Sequence, residues 1–353
     1  MKSCTILGLE TSCDETSAAI VVDGRDVRAS LVSSQVALHA KYGGIVPEIA
    51  SRAHIEQVRP IIEQTLSQAQ VGYRDLDAVA VTVGPGLVGS LLIGVTAAKT
   101  LALSCNLPLV AVDHIEAHAT SAALTCDPPP WPAVALVVSG GHTSLYLVRD
   151  FLDLELRGQT VDDAAGEAFD KVAAMLELGY PGGPVIDRVA TRGNPKAVRF
   201  PRTWINKPHF NFSFSGLKTA VLYYVYGAGK KYGSAQHLSA TELADVAASF
   251  QAALVQTLVA KTVAAARNAG VQNVVVGGGV AANSALRAEL QAACAQAGLH
   301  LYLTPLEYCT DNAAMIAALA YRRVQRGETA DLWLEPRAGL LRPALRSWDR
   351  VAT

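Results

Sequence analysis

Two short segments near the middle of the chain hold residue types suited to metal and phosphate chemistry. His114 and His118 are four residues apart, so on a helix both imidazoles share one face and can bind one metal ion. The run Ser139-Gly140-Gly141-His142-Thr143 follows an apolar strand predicted at 133–138 and offers backbone amides that suit a phosphate or an oxyanion. Together the two segments indicate chemistry on a phosphorylated or adenylated substrate.

The histidine pair has a plainer interpretation as helix-surface or capping residues. Two of only 8 histidines at this spacing, beside a ligand loop, favour a metal. The spacing is not the H-E-x-x-H motif of zinc peptidases, because Glu116 stands two residues after His114 and would point off the metal face. A metallopeptidase is therefore disfavoured. Asp311, at the start of the last predicted helix (310–323), is the best candidate for a third ligand, although an ordinary N-terminal helix acid fits the sequence equally well.

Three acidic residues crowd the tip of the first predicted hairpin, namely Glu10, Asp14 and Glu15. Acids around a phosphate loop would repel a bare phosphate, so they suggest metal, proton-transfer or hydroxyl-binding roles. A solvated turn is the alternative, and it is plausible for one acid but less so for three. We expect Asp14 or Glu15 to assist proton transfer or to position a metal-bound ligand.

Two further acids are candidates for ligand contact. Asp170 lies one turn inside a helix predicted over 163–178, beyond the ordinary N-terminal acids of that helix. Asp187 follows the turn at Gly182-Gly183-Pro184 and could reach a ribose hydroxyl; otherwise it is a surface acid.

Basic residues are concentrated in two places. A solvated surface is the usual explanation for such clusters, and a polyanion-binding rim whose affinity falls with added salt is the functional alternative. The first cluster is Arg188, Arg192, Lys196, Arg199, Arg202 and Lys207, and the second is Arg322, Arg323, Arg326, Arg337, Arg342, Arg346 and Arg350.

The composition limits the class of protein. The chain has 353 residues, of which 50% are hydrophobic, and a formal net charge of −1, so it suits two lobes with a large core and is not a stand-alone nucleic-acid binder by overall charge. Its six cysteines form no CxxC pair, which predicts neither a zinc knuckle nor a disulfide framework. The N-terminus runs straight into a predicted strand, and the apolar region 91–112 is interrupted by Lys99, Asn106 and Pro108. We therefore expect a cytoplasmic protein without a membrane span.

A weak internal repeat is the best sign of architecture. Strands predicted at 5–9 and 17–22 flank a small polar turn, and strands predicted at 133–138 and 144–148 flank Ser139–Thr143. A Pro-rich stretch, 127–132, separates the two hairpins, and the remaining segments alternate between strand and helix. The pattern predicts an α/β fold that resembles the two-lobed actin/Hsp70/sugar-kinase (ASKHA) superfamily with a central ligand cleft, and Gly277-Gly278-Gly279 would be its adenosine loop. The expected divisions are an N-terminal lobe (1–127), a C-terminal lobe (128–325), and a C-terminal segment (326–353) that packs back on the first lobe.

Several motifs together resemble one family. They are Gly8–Ser17, Gly43–Glu48 with Arg52-Ala53-His54, Gly84–Leu87, Asp113–His118, Ser139–Thr143, Asp162–Lys171, Phe212–Lys218 and Gly277–Asn283. The chain is identified by them as a member of the TsaD-type tRNA threonylcarbamoyladenosine transferases, in the bacterial and organellar branch. The segment 227–239 and the tail from Arg337 lie outside this resemblance.

The resemblance implies a specific reaction and site. The family transfers a threonylcarbamoyl group from threonylcarbamoyl-AMP to the N6 amine of the adenosine 3′ of the anticodon, in tRNAs that read ANN codons, and AMP leaves. A single divalent metal is implied, with Fe²⁺ expected ahead of Zn²⁺, on His114, His118 and Asp311. The implied substrate contacts are Val137, Val138, Ser139, Gly140, Gly141, Asp170, Gly183, Asp187 and Asn283.

The resemblance also implies partners: tRNA, a degenerate paralogous (TsaB-like) protein, a small P-loop (TsaE-like) ATPase, and an upstream synthase that makes the adenylate. A kinase or ATPase of the same superfold would not need the histidine pair. A non-enzymatic scaffold would not need the full set of His114, His118 and Asp311. These remain the alternatives to the transferase.

Overall fold

The computed structural model of the chain describes residues 3–205, 207–227 and 235–339, and these residues form two compact units. Residues 3–39, 45–128 and 310–339 form the first unit, and the described residues of 40–44 and 129–309 form the second.

The described residues contain ten strands and eleven α-helices. The strands are β1 (Thr5–Glu10), β2 (Glu15–Val22), β3 (Asp26–Ser34), β4 (Ala78–Gly84), β5 (Leu109–Asp113), β6 (Ala133–Val138), β7 (Thr143–Asp150), β8 (Asp153–Gln159), β9 (Asn273–Gly277) and β10 (His300–Leu303). The helices are α1 (Val36–His39), α2 (Pro47–Ala69), α3 (Val88–Cys105), α4 (His114–Thr120), α5 (Ala165–Met175), α6 (Gly182–Ala190), α7 (Ser215–Tyr226), α8 (Ala240–Ala269), α9 (Ser284–Ala297), α10 (Leu306–Cys309) and α11 (Ala313–Gln325).

The first unit is a five-stranded mixed sheet covered by helices on both faces. Its strand order is β3-β2-β1-β4-β5, with β1 antiparallel to β2 and parallel to β4. Leu7 and Leu9 lie in one apolar cluster with Ile61 of α2 and Val95 of α3. The intervening Gly8 points the other way, where a Cβ would come within 2.5 Å of the Ala313 carbonyl oxygen, so α11 covers the opposite face.

The second unit repeats this arrangement. Its sheet has the order β10-β9-β6-β7-β8, in which β6 is antiparallel to β7 and parallel to β9. The strands β6, β7, β8, β9 and β10 thus take the places that β1, β2, β3, β4 and β5 hold in the first sheet. The internal repeat predicted from the two hairpins is confirmed, and so is the α/β fold class.

The alternating pattern predicted most of the central elements to within a few residues, including α3, α4, β4, β5, α8 and α9. It missed several others. Strand β3 lies at the edge of its sheet and is largely exposed, so it lacks a continuous apolar run. Helix α2 is interrupted in sequence by Pro60, and α7 is rich in aromatic and β-branched residues that are more typical of strands.

The last helix lies in a different unit from the one predicted. The sequence-based division put residues 128–325 in one lobe, whereas α11 belongs to the first unit. The reason is its packing on β1 and β2: the Ala313 amide donates to the Ser17 hydroxyl at 2.9 Å, and Gly8 leaves room for the helix backbone. Of the predicted C-terminal segment, residues 326–339 belong to the first unit, where Ala330 bridges to Leu109 and the Arg337 amide donates to the Val83 carbonyl. Residues 340–353 are outside the described part.

Two described helices, α3 and α8, are long and apolar enough to cross a membrane by length and composition alone. The most apolar part of α8 is 72% buried, as expected for the core helix of a folded unit, and 33% of α3 is buried against its own unit. The apolar region at 91–112 is a helix followed by a strand, as predicted.

Candidate metal centre and substrate-binding loops

Helix α4 presents both histidines of the first unit toward one aspartate. The Asp113 carboxylate caps the helix by accepting from the amides of Ile115 and Glu116 at 2.8 and 3.1 Å, which fixes where its first turn begins. His114 and His118 then lie one turn apart, with ring centroids separated by 4.6 Å. The Asp311 Oδ1 atom is 3.0 Å from His118 Nε2 and 3.4 Å from His114 Nε2. The structure therefore brings together all three predicted ligands.

A second carboxylate holds the other side of His114. Glu10 ends strand β1 and is fully buried. Its Oε2 atom lies 2.9 Å from His114 Nδ1 and accepts from the Thr82 hydroxyl at 2.6 Å, while its Oε1 atom accepts from the Ser12 amide. A carboxylate on Nδ1 leaves Nε2 free to face Asp311 and makes the imidazole a more basic ligand.

The three side chains fit a single metal ion. Their ligand atoms all lie within 4.8 Å of one another. Donor atoms bound tetrahedrally to one ion at about 2.0–2.1 Å are roughly 3.3 Å apart, so the two measured distances to Asp311 need little change. Two imidazoles and one carboxylate suit Fe²⁺ or Zn²⁺, and this donor set does not distinguish the two.

Charge in this cluster is out of balance without a cation. Burial alone would lower the pKa of His114, but the carboxylates of Asp311 and Glu10 raise it to about 9. Burial and the nearby charge of His114 lower the pKa of His118. Burial, together with the negative charges of Asp311 and Asp14, raises the pKa of Glu15 to about 10. A bound divalent cation would offset this accumulation of negative charge.

The predicted catalytic acids lie where this hairpin turns. Asp14 is buried in the turn, and Glu15 begins β2. The turn is held from behind by His54 of α2, whose Nδ1 is 2.8 Å from the Thr16 hydroxyl and whose Nε2 is 3.0 Å from the Cys13 carbonyl oxygen. Burial and the charges of the neighbouring acids raise the pKa of the Cys13 thiol well above its usual value, which makes Cys13 a poor nucleophile.

In the second unit, the loop after β6 presents backbone to solvent. The side chains of Val137 and Val138 are fully buried, so only their backbone can meet a ligand. A Cβ at Gly140 or Gly141 would have no atom within 4 Å, so a ligand can approach the backbone closely there. The loop is fixed by the Ser139 amide, which donates to the His142 carbonyl at 2.8 Å.

The other predicted substrate residues lie on helix beginnings linked to this loop. The Gly166 amide of α5 donates to the Ser139 carbonyl at 3.1 Å. One turn later, the Asp170 carboxylate accepts from the Gly182 amide at 2.7 Å and so fixes the start of α6, which carries Gly183.

Helix α6 is tied in turn to α9. The Asp187 carboxylate accepts from the Ser284 amide and hydroxyl at 3.0 and 2.8 Å. Asn283 caps α9 through the Leu286 amide, and its side-chain amide donates to Gln251 at 2.9 Å. Asp170 and Asp187 therefore both have structural roles, and their remaining acceptor positions are available to a ligand.

The turn at 277–279 closes against the end of β6. Gly278 has φ of 93°, and a Cβ there would come within 2.4 Å of the Val138 carbonyl oxygen, so the position requires glycine. The predicted adenosine turn and the Ser139–Gly141 loop are thus neighbours in the second unit.

The sequence did not identify the specific partner of His114. Glu10 was one of three acids at the hairpin tip, and the 104 residues between it and His114 hide their contact. A buried acid at the end of an otherwise apolar strand is the signal that could have distinguished it from Asp14 and Glu15.

Comparison with known proteins gives consistent matches. The sequence model of the family described as "TsaD: tRNA N6-adenosine threonylcarbamoyltransferase" matches residues 26–318. The tRNA N6-adenosine threonylcarbamoyltransferase of Moorella thermoacetica is 50% identical, covering 93% of this chain and 94% of that protein. The protein of the same name from Anaeromyxobacter dehalogenans strain 2CP-C is 51% identical, covering 94% and 98%.

Among solved structures, full-length HypF in a phosphate- and nucleotide-bound form matches with a TM-score of 0.60 at 14% identity. The match covers 91% of this chain and 47% of HypF and supports the fold alone. The sequence matches, by contrast, extend over most of this chain and of its relatives. The chain belongs to the tRNA N6-adenosine threonylcarbamoyltransferase family, and it is a transferase that modifies tRNA.

Proposed function

We propose that this transferase takes its acyl group from threonylcarbamoyl-AMP and modifies the adenosine 3′ of the anticodon in ANN-decoding tRNAs. The N6 amine attacks the carbamoyl carbonyl carbon, a C–N bond forms, and the C–O bond to the AMP phosphate breaks. One proton leaves the amine, and AMP departs with the electron pair of the broken bond.

The observation that carries the proposal is the convergence of His114, His118 and Asp311 on one point. We propose that they hold a single divalent ion, with Fe²⁺ ahead of Zn²⁺. Such an ion supplies Lewis-acid stabilisation and orientation of substrate oxygens when bound. Glu10 orients His114 for this role through its Nδ1 contact.

The chain's own residues account for the remaining requirements. The backbone amides of Ser139, Gly140 and Gly141 can hold phosphate or developing negative charge, together with the backbone of Val137 and Val138. Helix beginnings at Gly183 and Asn283 favour anionic groups, and Asp187 can accept from a ribose hydroxyl.

Proton removal from the amine is proposed for Asp14 or Glu15. The raised pKa of Glu15 is compatible with accepting and holding a proton, provided that a bound cation first keeps the carboxylate ionised.

We further propose that the chain acts in the cytoplasm with partner proteins. The near-neutral net charge of −1 gives little overall attraction for tRNA, which favours shared binding. The proposed partners are a TsaB-like paralogue, a TsaE-like P-loop ATPase and an enzyme that supplies threonylcarbamoyl-AMP.

A transfer assay tests the proposal. The purified chain and its partners are combined with unmodified ANN-decoding tRNA and threonylcarbamoyl-AMP labelled in the threonyl group. Wild type should place label on the tRNA and release one AMP per label. The double variant His114→Ala/His118→Ala should lose both transfer and bound metal.

A matched control is His300→Ala, because His300 is an exposed histidine of the second unit. It should transfer at the wild-type rate and retain metal. Absence of label with wild type, when the adenylate and the partners are shown to be competent, would reject the donor or the acceptor in the proposal. Unchanged transfer by the double variant would reject the metal site.

A further inference from the structure

The stretch that follows α6 has an unusual charge distribution. The chain carries 31 acidic residues in total, yet none lies between Asp187 and Glu242. Six cations fall in the first part of this stretch: Arg188, Arg192, Lys196, Arg199, Arg202 and Lys207. We call residues 188–205 together with Lys207 the cationic strap.

The cationic strap is fastened along the long core helix α8. The Asn194 amide donates to Asp245 at 2.6 Å, and the Val198 amide donates to the Ser249 hydroxyl at 3.1 Å. Further along, the Arg202 guanidinium donates to the Gln256 side chain.

A buried lysine of α8 holds the chain just beyond the strap. Lys261 is only 2% exposed, and its ammonium donates to the His209 carbonyl at 2.8 Å. The attachment points thus advance from residue 245 to residue 261 of α8, a distance of about 24 Å at 1.5 Å per residue. The strap therefore follows a rigid element, which gives its cations defined positions.

The six cations of the strap are exposed and are not neutralised by acids. All six are exposed to solvent, and in the described part of the chain none of them forms an ion pair. The acid nearest to them on α8, Asp245, already accepts from the Asn194 amide, and Asp187 accepts from Ser284. A row of unpaired cations about 24 Å long can face several successive phosphates of a polyanion.

We infer that the cationic strap binds the phosphate backbone of the tRNA substrate. The strap begins at the C-terminal end of α6, and the same helix carries Gly183 and Asp187. The inference rests on the proposed function, in which those two residues contact the adenylate. It gives a chain with a net charge of −1 a local surface for RNA, which its overall charge does not supply.

The same observations disfavour an anionic membrane as the partner. Peripheral membrane segments pair their cations with exposed large apolar side chains. Among the described residues of the strap, none of the large hydrophobic side chains is exposed. RNA needs only cations and polar groups at fixed spacing.

Salt-dependent binding of tRNA tests the inference. The apparent Kd of the full chain for unmodified ANN-decoding tRNA is measured between 50 and 300 mM KCl (about a sixfold range, which resolves the slope). The test variant is Arg192→Gln/Lys196→Gln/Arg199→Gln. The matched control is Arg59→Gln/Arg74→Gln/Arg149→Gln, which removes three exposed cations elsewhere.

The test variant should bind up to about 100-fold more weakly at 0.15 M salt, and its salt slope should fall by about 2.7, which is 0.9 for each of three phosphates released. The control should keep the wild-type slope. A charge-retaining variant, Arg192→Lys/Arg199→Lys, should restore most of the binding, because phosphate contacts depend mainly on charge.

Equal Kd and slope for wild type and test variant would overturn the inference, as would absence of tRNA binding by wild type at 50 mM KCl (about a 14 Å Debye length). In the transfer assay, the test variant should raise the KM for tRNA and leave kcat and the KM for threonylcarbamoyl-AMP unchanged. Failure of wild type to transfer label rejects the proposed function instead, so the two failures are distinguishable.

Discussion

Replacing Glu10 by Gln is expected to weaken metal binding without changing the shape of the site. Glu10 uses one oxygen for the Ser12 amide and the other for His114 Nδ1 and the Thr82 hydroxyl. Gln has the same shape but only one acceptor oxygen and no charge. Either the Ser12 amide or His114 therefore loses its acceptor in a fully buried position.

The magnitude depends on pH because a proton competes with the metal. Loss of a carboxylate that orients a ligating histidine costs about 10- to 100-fold in metal affinity, or about 1.4–2.8 kcal/mol. In the metal-free protein the pKa of His114 is raised to about 9. At pH 7 a metal must displace that proton, and the 2 pH units weaken wild-type binding by about 100-fold.

Glu10→Gln removes one of the two charges that raise the pKa of His114, so it also relieves this competition. The full loss of affinity is therefore expected only above pH 9, and the loss at pH 7 should be smaller. Wild-type affinity itself should rise about tenfold per pH unit from pH 7 and level off near pH 9.

Zinc affinity of the metal-free protein, measured against a competing chromophoric chelator at pH 7 and pH 9.5, tests these expectations (about half a unit beyond the expected plateau). Glu63→Gln, at an exposed position of α2, is the matched control and should bind as wild type does. The reasoning is refuted if Glu10→Gln keeps wild-type affinity at pH 9.5, or if wild-type affinity is the same at both pH values.

Three further predictions concern stability. Arg323 is buried and pairs with Glu116 of α4 at 3.2 Å, so Arg323→Met should cost about 3–5 kcal/mol in urea unfolding, and Glu116→Leu/Arg323→Met should recover much of it; equal stability of the single and double variants would contradict this. Gly278→Ala should lose about 1–3 kcal/mol and weaken AMP binding, because alanine is strained at φ of 93° and meets the Val138 carbonyl; wild-type unfolding and AMP affinity would exclude that strain. Because the pKa of His114 is raised, its protonation stabilises the metal-free fold fully below pH 6.5, and this contribution is lost as pH rises through about 9; His114→Gln should lack this pH dependence, and a variant that retains it would show that another group is responsible.

The sequence carried the local part of the site better than the long-range part. The spacing of His114 and His118 predicted a shared helical face, because helical geometry depends only on neighbours within one turn. It also placed Glu116 off that face, and Glu116 pairs with Arg323 instead. The contact between Glu10 and His114, and the return of α11 to the first unit, depend on packing between distant segments and have no local signature.

The roles of Asp170, Asp187 and Asn283 were implied by family resemblance and not by their spacing. Each caps or fixes a helix beginning in the structure, a role that a solitary acid or amide in a sequence does not announce. Strand β3 was missed for a related reason: its stability comes from pairing with β2, and its own residues are mostly polar or exposed.

The discontinuity of the first unit sets the order in which the chain can mature on the ribosome. Apart from residues 40–44, the second unit is contiguous in sequence, whereas the first needs α11 to cover one face of its sheet. His118 and Asp311 are 193 residues apart, an interval of roughly 10–40 s at 5–20 residues per second. Throughout that interval the nascent chain presents two histidines without their carboxylate partner. A complete metal site therefore reports that synthesis has passed residue 311.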